Sequence, residues 1–262
     1  MIAALGMYDT ARTAEANDLL WALIREGLRA HGIVAPDGLT RGEGAYMAGW
    51  LSPDLVLAQC CGYPFRAHLM GRVTLIGAGD HRLPHTPAGQ YHSVLVARSD
   101  DPRQSFINFD GADFAWNDDL SQSGWAAPAH HAAKAGIRLN PQHRSGSHRA
   151  SARAVSVGKA DLAAIDAVTW AIMAEDGSGD SAGLKEITRT MPTPALPFIA
   201  GRDLDQAAVF AALEAAIDAL SPADQAVLHL YGLVPASGAD YRAVPDPGPP
   251  GPSARPSARP SD

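Results

Sequence analysis

Apolar residues recur every three to four positions in two long stretches of the chain. The first stretch, residues 14–31, ends before Gly32, and the second covers residues 205–220. This spacing places one apolar stripe along each helix, and a glycine commonly follows a helix end. We therefore predict two amphipathic helices. Their repeating apolar positions are Leu20, Ile24 and Leu28 in the first and Val209, Leu213 and Ile217 in the second.

Short, nearly continuous apolar runs separate the helical stretches. Runs of this length, bounded by glycine, proline and polar residues, predict buried strands. A weaker helical pattern covers residues 41–51, and a short one covers residues 222–230. Strands that alternate with helices are typical of an α/β fold. The predicted strands are residues 2–7, 55–59, 72–76, 93–97 and 198–200.

Three strand-to-helix junctions rich in small hydroxyl or acidic residues follow one another in the middle of the chain. A helix start has backbone N–H groups without intrahelical partners and a partial positive charge, so it attracts anions. In open α/β sheets, ligands lie beyond the carboxyl ends of the strands. We therefore expect one pocket for a small, anionic molecule. The junctions are residues 113–125, 145–149 and 161–170.

Composition narrows the classes of partner. The chain has 262 residues, of which 46% are hydrophobic and 19% charged, as in ordinary globular proteins. Its net charge of −7 argues against nucleic acid and acidic membrane surfaces as partners. The two cysteines, Cys60 and Cys61, are adjacent, so we expect no disulfide framework.

The two ends of the sequence carry different signals. Residues 1–9 lack the basic segment and the apolar length of a signal peptide, and no apolar run reaches membrane-spanning length. We therefore expect no membrane insertion, and a cytoplasmic location for the chain as written. Residues 246–262 are rich in proline, serine and arginine and are expected to form a disordered tail that adds nothing to stability.

Several motifs, in order along the chain, resemble the PhnD-like phosphate/phosphite/phosphonate substrate-binding proteins of ABC transporters, which have the type 2 periplasmic binding protein fold. The matching segments begin with Tyr8-Asp9 and end in a proline-rich connection. Between them, serine-glycine and glycine-tyrosine motifs recur with compatible spacing. The segments are residues 8–9, 59–64, 89–96, 117–125, 146–151, 158–166 and 192–197.

The resemblance implies two three-layer α/β lobes joined by two crossing strands, with a ligand cleft between them. On this basis, lobe 1 would comprise residues 1–92 and 196–245, and lobe 2 residues 93–195. The implied function is capture of a small oxyanion or zwitterion by a monomeric solute-binding protein, with an ABC permease as partner. The resemblance also implies a periplasmic location, in contrast to the cytoplasmic one expected from residues 1–9, and it implies no cofactor, metal or catalysis.

The same resemblance assigns roles to individual residues. A serine-glycine helix start would hold the oxyanion, a histidine would face it, and a carboxylate would meet a cationic group of the ligand. Aromatic residues of lobe 1 would wall the site. These candidate ligand-binding residues are Ser121, Gln122, Ser123, Gly124, His148, Asp166, Tyr8, Tyr63 and Tyr91.

Simpler interpretations of these residues stay open. Ser121 and Asp166 are suitable helix caps, and the tyrosines are suitable packing residues with wet hydroxyls. Gln122 replaces the threonine of the typical motif, which leaves the identity of the ligand undecided. Two other functions are also possible on such a fold: a cytosolic ligand sensor, or an enzyme of thiamine-precursor-type metabolism with Cys61 as nucleophile. The histidine spacing matches no standard zinc pattern.

Overall fold

The computed structural model describes residues 1–251 and divides the chain into two compact units. Unit 1 consists of Met1–His92, Ala167–Asp176 and Pro192–Pro245. Unit 2 consists of Ser93–Asp166, Gly177–Met191 and the segment that begins at Asp246. Each unit contains one five-stranded sheet and several helices, which confirms the predicted α/β class.

The sheet of unit 1 has the strand order β1-β2-β11-β3-β12. Strands β1 and β2 are parallel, whereas β11 runs antiparallel to both β2 and β3. A two-stranded antiparallel pair, β4 with β10, completes the unit. The strands are β1 (Ile2–Ala4), β2 (Leu55–Gln59), β3 (Thr74–Asp80), β4 (Gln90–Tyr91), β10 (Thr193–Pro194), β11 (Pro197–Ala200) and β12 (Gly232–Val234).

Both faces of this sheet are covered. In β11, Phe198 and Ala200 belong to a core with the long helices, while Ile199 points to a second core, as side-chain alternation along a strand requires. An added Cβ at Gly27 would lie 3.0 Å from Ala212, so glycine permits close helix packing there. The helices are α1 (Ala14–Ala30), α2 (Met47–Trp50), α3 (Gly62–Pro64), α6 (Ala167–Glu175), α7 (Gln206–Ala219), α8 (Pro222–Leu228) and α9 (Gly238–Arg242).

The sheet of unit 2 has the strand order β7-β6-β8-β5-β9. Its first three strands are parallel neighbours, and β5 runs antiparallel to β8 and β9. The parallel part brings the carboxyl ends of three strands to one edge. The strands are β5 (Ser93–Arg98), β6 (Asp113–Trp116), β7 (Asn140–Arg144), β8 (Leu162–Asp166) and β9 (Leu184–Arg189).

Two helices pack on the sheet of unit 2. The helix α4 (Ala127–Ala135) contributes Ala132 to a core with Phe114 and Leu95, and the helix α5 (His148–Ser156) contacts β8, β5 and β6. A π-helical turn, Gln122–Ala126, leads directly into α4 and packs against β8. The loop after β6 therefore delivers this turn to the carboxyl edge of the parallel strands.

Element predictions succeeded best where the pattern was longest. The helix predicted over residues 14–31 is α1, and the strand predicted over residues 55–59 is β2. The helix predicted over residues 41–51 is instead a 3₁₀ turn, Gly42–Ala45, followed by the short α2. Strands β7 and β9 carry mixed polar sequences, and β12 is only three residues long, so the apolar pattern does not predict them. Their partner strands hold them in place.

The units and the sequence-based lobes divide the chain differently in three places, the third being the segment from Asp246, which belongs to unit 2. Residues 167–176 and 192–195 belong to unit 1 rather than to the second lobe. The reason for the first difference is that Val168 and Ile172 of α6 are fully buried in a core of unit 1. The tail prediction also needs correction over residues 246–251, because the Trp125 Nε1–H donates to the Gly248 carbonyl at 2.9 Å. Residues 252–262 of that predicted tail lie outside the described residues.

Candidate functional site

The turn that follows β6 in unit 2 is built as a helix start. Ser121 is its N-cap: the Ser121 Oγ accepts a hydrogen bond from the Gly124 N–H at 2.9 Å. The N–H groups of Trp125 and Ala126 both donate to the Ser121 carbonyl. The capping interpretation of Ser121 is thus realised, and the backbone N–H groups of Gln122 and Ser123 belong to the first turn of this helix start.

A hydrogen-bonded series connects this turn to α5. His148 Nδ1 lies 3.2 Å from the Ala164 carbonyl oxygen, and His148 Nε2 lies 2.9 Å from Ser123 Oγ. Because a carbonyl only accepts, the ring proton is on Nδ1, and Nε2 accepts from the Ser123 hydroxyl. Ser147, the N-cap of α5, accepts from the Ala150 N–H at 3.1 Å and fixes the start of that helix.

The ring of His148 is neutral at physiological pH. Burial lowers the pKa of His148 to about 4, and the hydrogen bond to the Ala164 carbonyl opposes this only in part. The sequence-based idea that a protonated histidine would add a charge-assisted bond to an anion therefore does not describe this ring near pH 7. Its observed contact is with the Ser123 hydroxyl.

Asn117 lies across the start of the turn. A Cβ placed on Gly124 would fall 1.8 Å from Asn117 Oδ1, so only glycine leaves room for this side chain. Asn117 Oδ1 is buried and has no hydrogen-bond partner within residues 1–251. The backbone is held separately, since the Gly146 N–H donates to the Asn117 carbonyl at 3.1 Å.

Charged groups flank the turn on its exposed side. Arg144 approaches both acidic neighbours: its Nη2 lies 2.7 Å from Asp118, and its Nε lies 3.6 Å from Asp119. The Trp116 Nε1–H also donates to Asp119 at 2.8 Å. These carboxylates are about half exposed and paired, so they repel an anion less than their sequence position implies.

Asp166 is the last residue of β8. Its partner across the sheet is Ser93 of β5, and only 2% of Asp166 is exposed. The turn Gln122–Ala126 packs against the same strand. Unit 2 therefore contains Ser121, Gln122, Ser123, Gly124, His148 and Asp166 together, around one edge of its sheet.

The three candidate tyrosines all belong to unit 1. Tyr8 and Tyr91 are buried in one apolar core together with Leu196. Tyr63 lies apart from them in α3, with the Arg66 guanidinium 4.4 Å from its ring centroid. Their predicted ligand contacts stay predictions, and their observed contacts are packing contacts.

Buried polar groups also occur near Tyr8. The His81 ring lies 5.6 Å from the Tyr8 ring in an edge-to-face arrangement, and His81 Nδ1 lies 2.6 Å from the His229 carbonyl oxygen. Burial lowers the pKa of His81 to about 4.

Cys60 is fully buried, and burial raises the pKa of its thiol, which disfavours the reactive thiolate.

A sequence profile of the family described as "ABC transporter, phosphonate, periplasmic substrate-binding protein" matches residues 75–242. The chain belongs to this family. The match covers the β6–α4 turn, α5 and β8, and the family is one of substrate-binding proteins rather than of enzymes. No curated protein matches the chain. None of the helices in residues 1–251 is long and apolar enough to span a membrane.

Solved structures share the fold at low sequence identity. PhnD1 from Prochlorococcus marinus (MIT 9301), in complex with methylphosphonate, is 16% identical, with a TM-score of 0.71 over 93% of this chain and 95% of that chain. A Pseudomonas aeruginosa binding protein of an ABC phosphonate transporter is 15% identical, with a TM-score of 0.64 over 89% and 80%. A chloride-bound Xanthomonas citri protein is 17% identical, with a TM-score of 0.62 over 93% and 98%.

Sequence reasoning overlooked two parts of the site. It quoted Asn117 as the start of a motif but gave it no role, and it did not foresee the Ala164 carbonyl as the partner of His148. A usable signal existed for the first: an amide directly after a strand, with a glycine seven residues later. No sequence signal identifies Ala164, because a backbone carbonyl carries no residue preference.

Proposed function

We propose that this substrate-binding protein holds a small oxyanion-bearing ligand, such as a phosphonate, phosphite or phosphate, at the turn of residues 121–124 and serves an ABC transporter. The observation that supports this proposal most directly is the capped helix start after β6. The Gly124 N–H donates to Ser121 Oγ, and the first turn that this cap fixes has the partial positive charge of a helix start, which favours an anion.

Hydrogen-bond energetics support an ionised ligand at this turn. A backbone N–H that donates to an ionised oxygen contributes about 1.5–3 kcal/mol, roughly twice a neutral bond. Ser121, Gln122 and Ser123 are all at least 95% buried, so such bonds would form with little competition from water. The methylphosphonate in the similar P. marinus protein is a ligand of this chemical class.

Asp166 is proposed to select ligands that carry a cation or a donor besides the oxyanion. A carboxylate attracts such a group and repels a plain anion at close range. Tyr8, Tyr63 and Tyr91 are proposed as aromatic contacts of the same ligand, on the family resemblance. A monomer and a permease partner likewise remain part of this proposal.

Calorimetry with purified protein tests the proposal. The ligands are methylphosphonate, phosphite, phosphate and an aminophosphonate, and the decisive variant is Ser123→Leu. We expect binding of at least one oxyanion by the wild type and a loss of at least about 100-fold in the variant, or about 2.7 kcal/mol, because the larger side chain fills the turn. Asp166→Asn should weaken the aminophosphonate more than phosphate.

The matched control is Ser156→Leu, which changes an exposed serine of the same unit. Melting temperatures establish that each variant is folded. The assignment of the site is wrong if no oxyanion binds the wild type, or if folded Ser123→Leu binds as tightly as the wild type does.

A further inference from the structure

The turn of residues 121–124 presents hydrogen-bond acceptors as well as donors. The Ala164 carbonyl fixes the ring proton of His148 on Nδ1, so Nε2 can only accept. The single hydroxyl proton of Ser123 is used in that bond, at 2.9 Å. The Ser123 Oγ therefore offers a ligand its lone pairs and no proton.

A second acceptor lies at the same turn. Asn117 Oδ1 is buried without a partner in residues 1–251 and sits where a side chain of residue 124 would begin. Buried amide oxygens normally receive a hydrogen bond, so a lone one is most simply completed by a ligand. Its position over Gly124 places it at the same turn as the N–H groups of Gln122 and Ser123.

We propose that Asn117 is a specificity-determining residue which selects an oxyanion that still carries a proton, because a ligand P–O–H group would donate to Asn117 Oδ1. This inference rests on the proposed function. A fully ionised oxyanion brings only acceptors and would meet the lone pairs of Asn117 and Ser123. A sulfonate, which holds no proton near neutral pH, would be disfavoured for the same reason.

The other titratable and charged groups around Asn117 come from each neighbouring element. Strand β7 contributes His143 and Arg144, and β8 contributes Asp166. The loop contributes Asp118 and Asp119, both paired with Arg144. From α5 comes His148, whose ring stays neutral above pH 6 because its pKa is lowered to about 4.

The test is calorimetry of the full chain with methylphosphonate and methanesulfonate at pH 6 and pH 9, on either side of the second ionisation of the phosphonate. We expect the wild type to bind methylphosphonate at least 10-fold more tightly at pH 6 than at pH 9. At pH 6 it should bind methanesulfonate at least 10-fold more weakly than methylphosphonate. His143→Gln should leave both differences unchanged.

Variants at Asn117 separate an acceptor from a donor. Asn117→Ala should reduce both differences to less than 3-fold, and Gly124→Ala, which displaces the Asn117 side chain, should do the same if the first variant does not fold. Asn117→Asp keeps the acceptor, removes the N–H donors and adds a charge that repels a dianion more than a monoanion. It should therefore bind methylphosphonate more weakly at both pH values but keep a difference of at least 10-fold between pH 6 and pH 9. Asn140→Ala, at an asparagine whose amide donates to Asp113, is the matched control.

Each result has a definite meaning. Equal phosphonate affinity at both pH values, or tight sulfonate binding, overturns this inference and leaves the proposed function standing. A difference of less than 3-fold between pH 6 and pH 9 in Asn117→Asp overturns it as well, since an acceptor at residue 117 would then not set the preference for a protonated ligand. If the wild type binds no phosphonate at either pH, the proposed function falls, and this inference falls with it.

Discussion

Each unit contains a histidine whose ring hydrogen-bonds to a backbone carbonyl, and these two histidines, His81 and His148, differ at Nε2. In both, Nδ1 lies within 3.2 Å of a backbone carbonyl oxygen, His229 for His81 and Ala164 for His148. In both, burial lowers the pKa to about 4. The difference is at Nε2, which receives the Ser123 hydroxyl in His148, whereas in His81 it has no hydrogen-bond partner within residues 1–251.

That difference gives the two rings different surroundings. His81 borders a cavity of about 20 Å³ lined mainly by apolar groups, with Tyr8 and Asn17 among the polar ones. His148 instead orients a hydroxyl at a helix start that can receive an anion. The lowered pKa is common to both rings and therefore does not distinguish them; the hydrogen bond at Nε2 does.

Lowering the pH should produce the largest change in stability that involves these two histidines. A histidine whose folded pKa lies near 4 binds its proton more readily in the unfolded state, so stability falls as pH drops from about 6.5 towards 4. At 1.36 kcal/mol per unit, each histidine would cost about 2–3 kcal/mol at pH 4. Urea unfolding at pH 7 and pH 4, with His81→Asn and His148→Asn, measures the two contributions.

Asparagine keeps a donor near Nδ1 and removes the titration, so each variant should lose less stability in acid than the wild type does. If both variants reduce the acid-induced loss of unfolding free energy by similar amounts, the two pKa shifts have a common origin in burial. A reduction in only one variant would contradict this.

A smaller change should give His148 the hydrogen-bonding state of His81. Ser123→Ala removes the donor to His148 Nε2 and leaves that nitrogen in the situation of His81. We expect a cost of about 1–2 kcal/mol in the free energy of unfolding, because a buried acceptor loses its partner. Chemical denaturation measures it, and nitrogen NMR of the ring should show the altered Nε2. An unchanged Nε2 resonance would mean that Ser123 does not donate to this nitrogen.

The smallest effect concerns the segment after Pro245, which belongs to unit 2 and not to unit 1. Truncation after Pro245 removes the Gly248 carbonyl that accepts from Trp125 Nε1–H. We expect a loss of about 0.5–1.5 kcal/mol in stability, against the sequence-based prediction of none. Truncation after Gly251 is the matched control and should melt as the full chain does. Equal melting of all three chains would restore the original prediction.

Local pattern was sufficient for much of the scaffold. The apolar stripe of Leu20, Ile24 and Leu28 requires a buried helix face, and all three are at most 1% exposed in α1. The continuous apolar run of β2 is buried along its whole length. Ser121 followed by a glycine three residues on marks a helix start, and the structure has a capped turn there. These features depend on neighbours a few residues apart, which a single sequence displays.

The sequence alone therefore determined the α/β class, the family resemblance and the position of the helix start. Tertiary structure decided the protonation of His148, because its two partners lie 16 and 25 residues away along the chain. It also placed Asn117 over Gly124 and assigned α6 to unit 1 through the burial of Val168. The physical reason is that hydrogen-bond roles and desolvation depend on which distant groups meet, whereas periodicity and capping depend on adjacent residues.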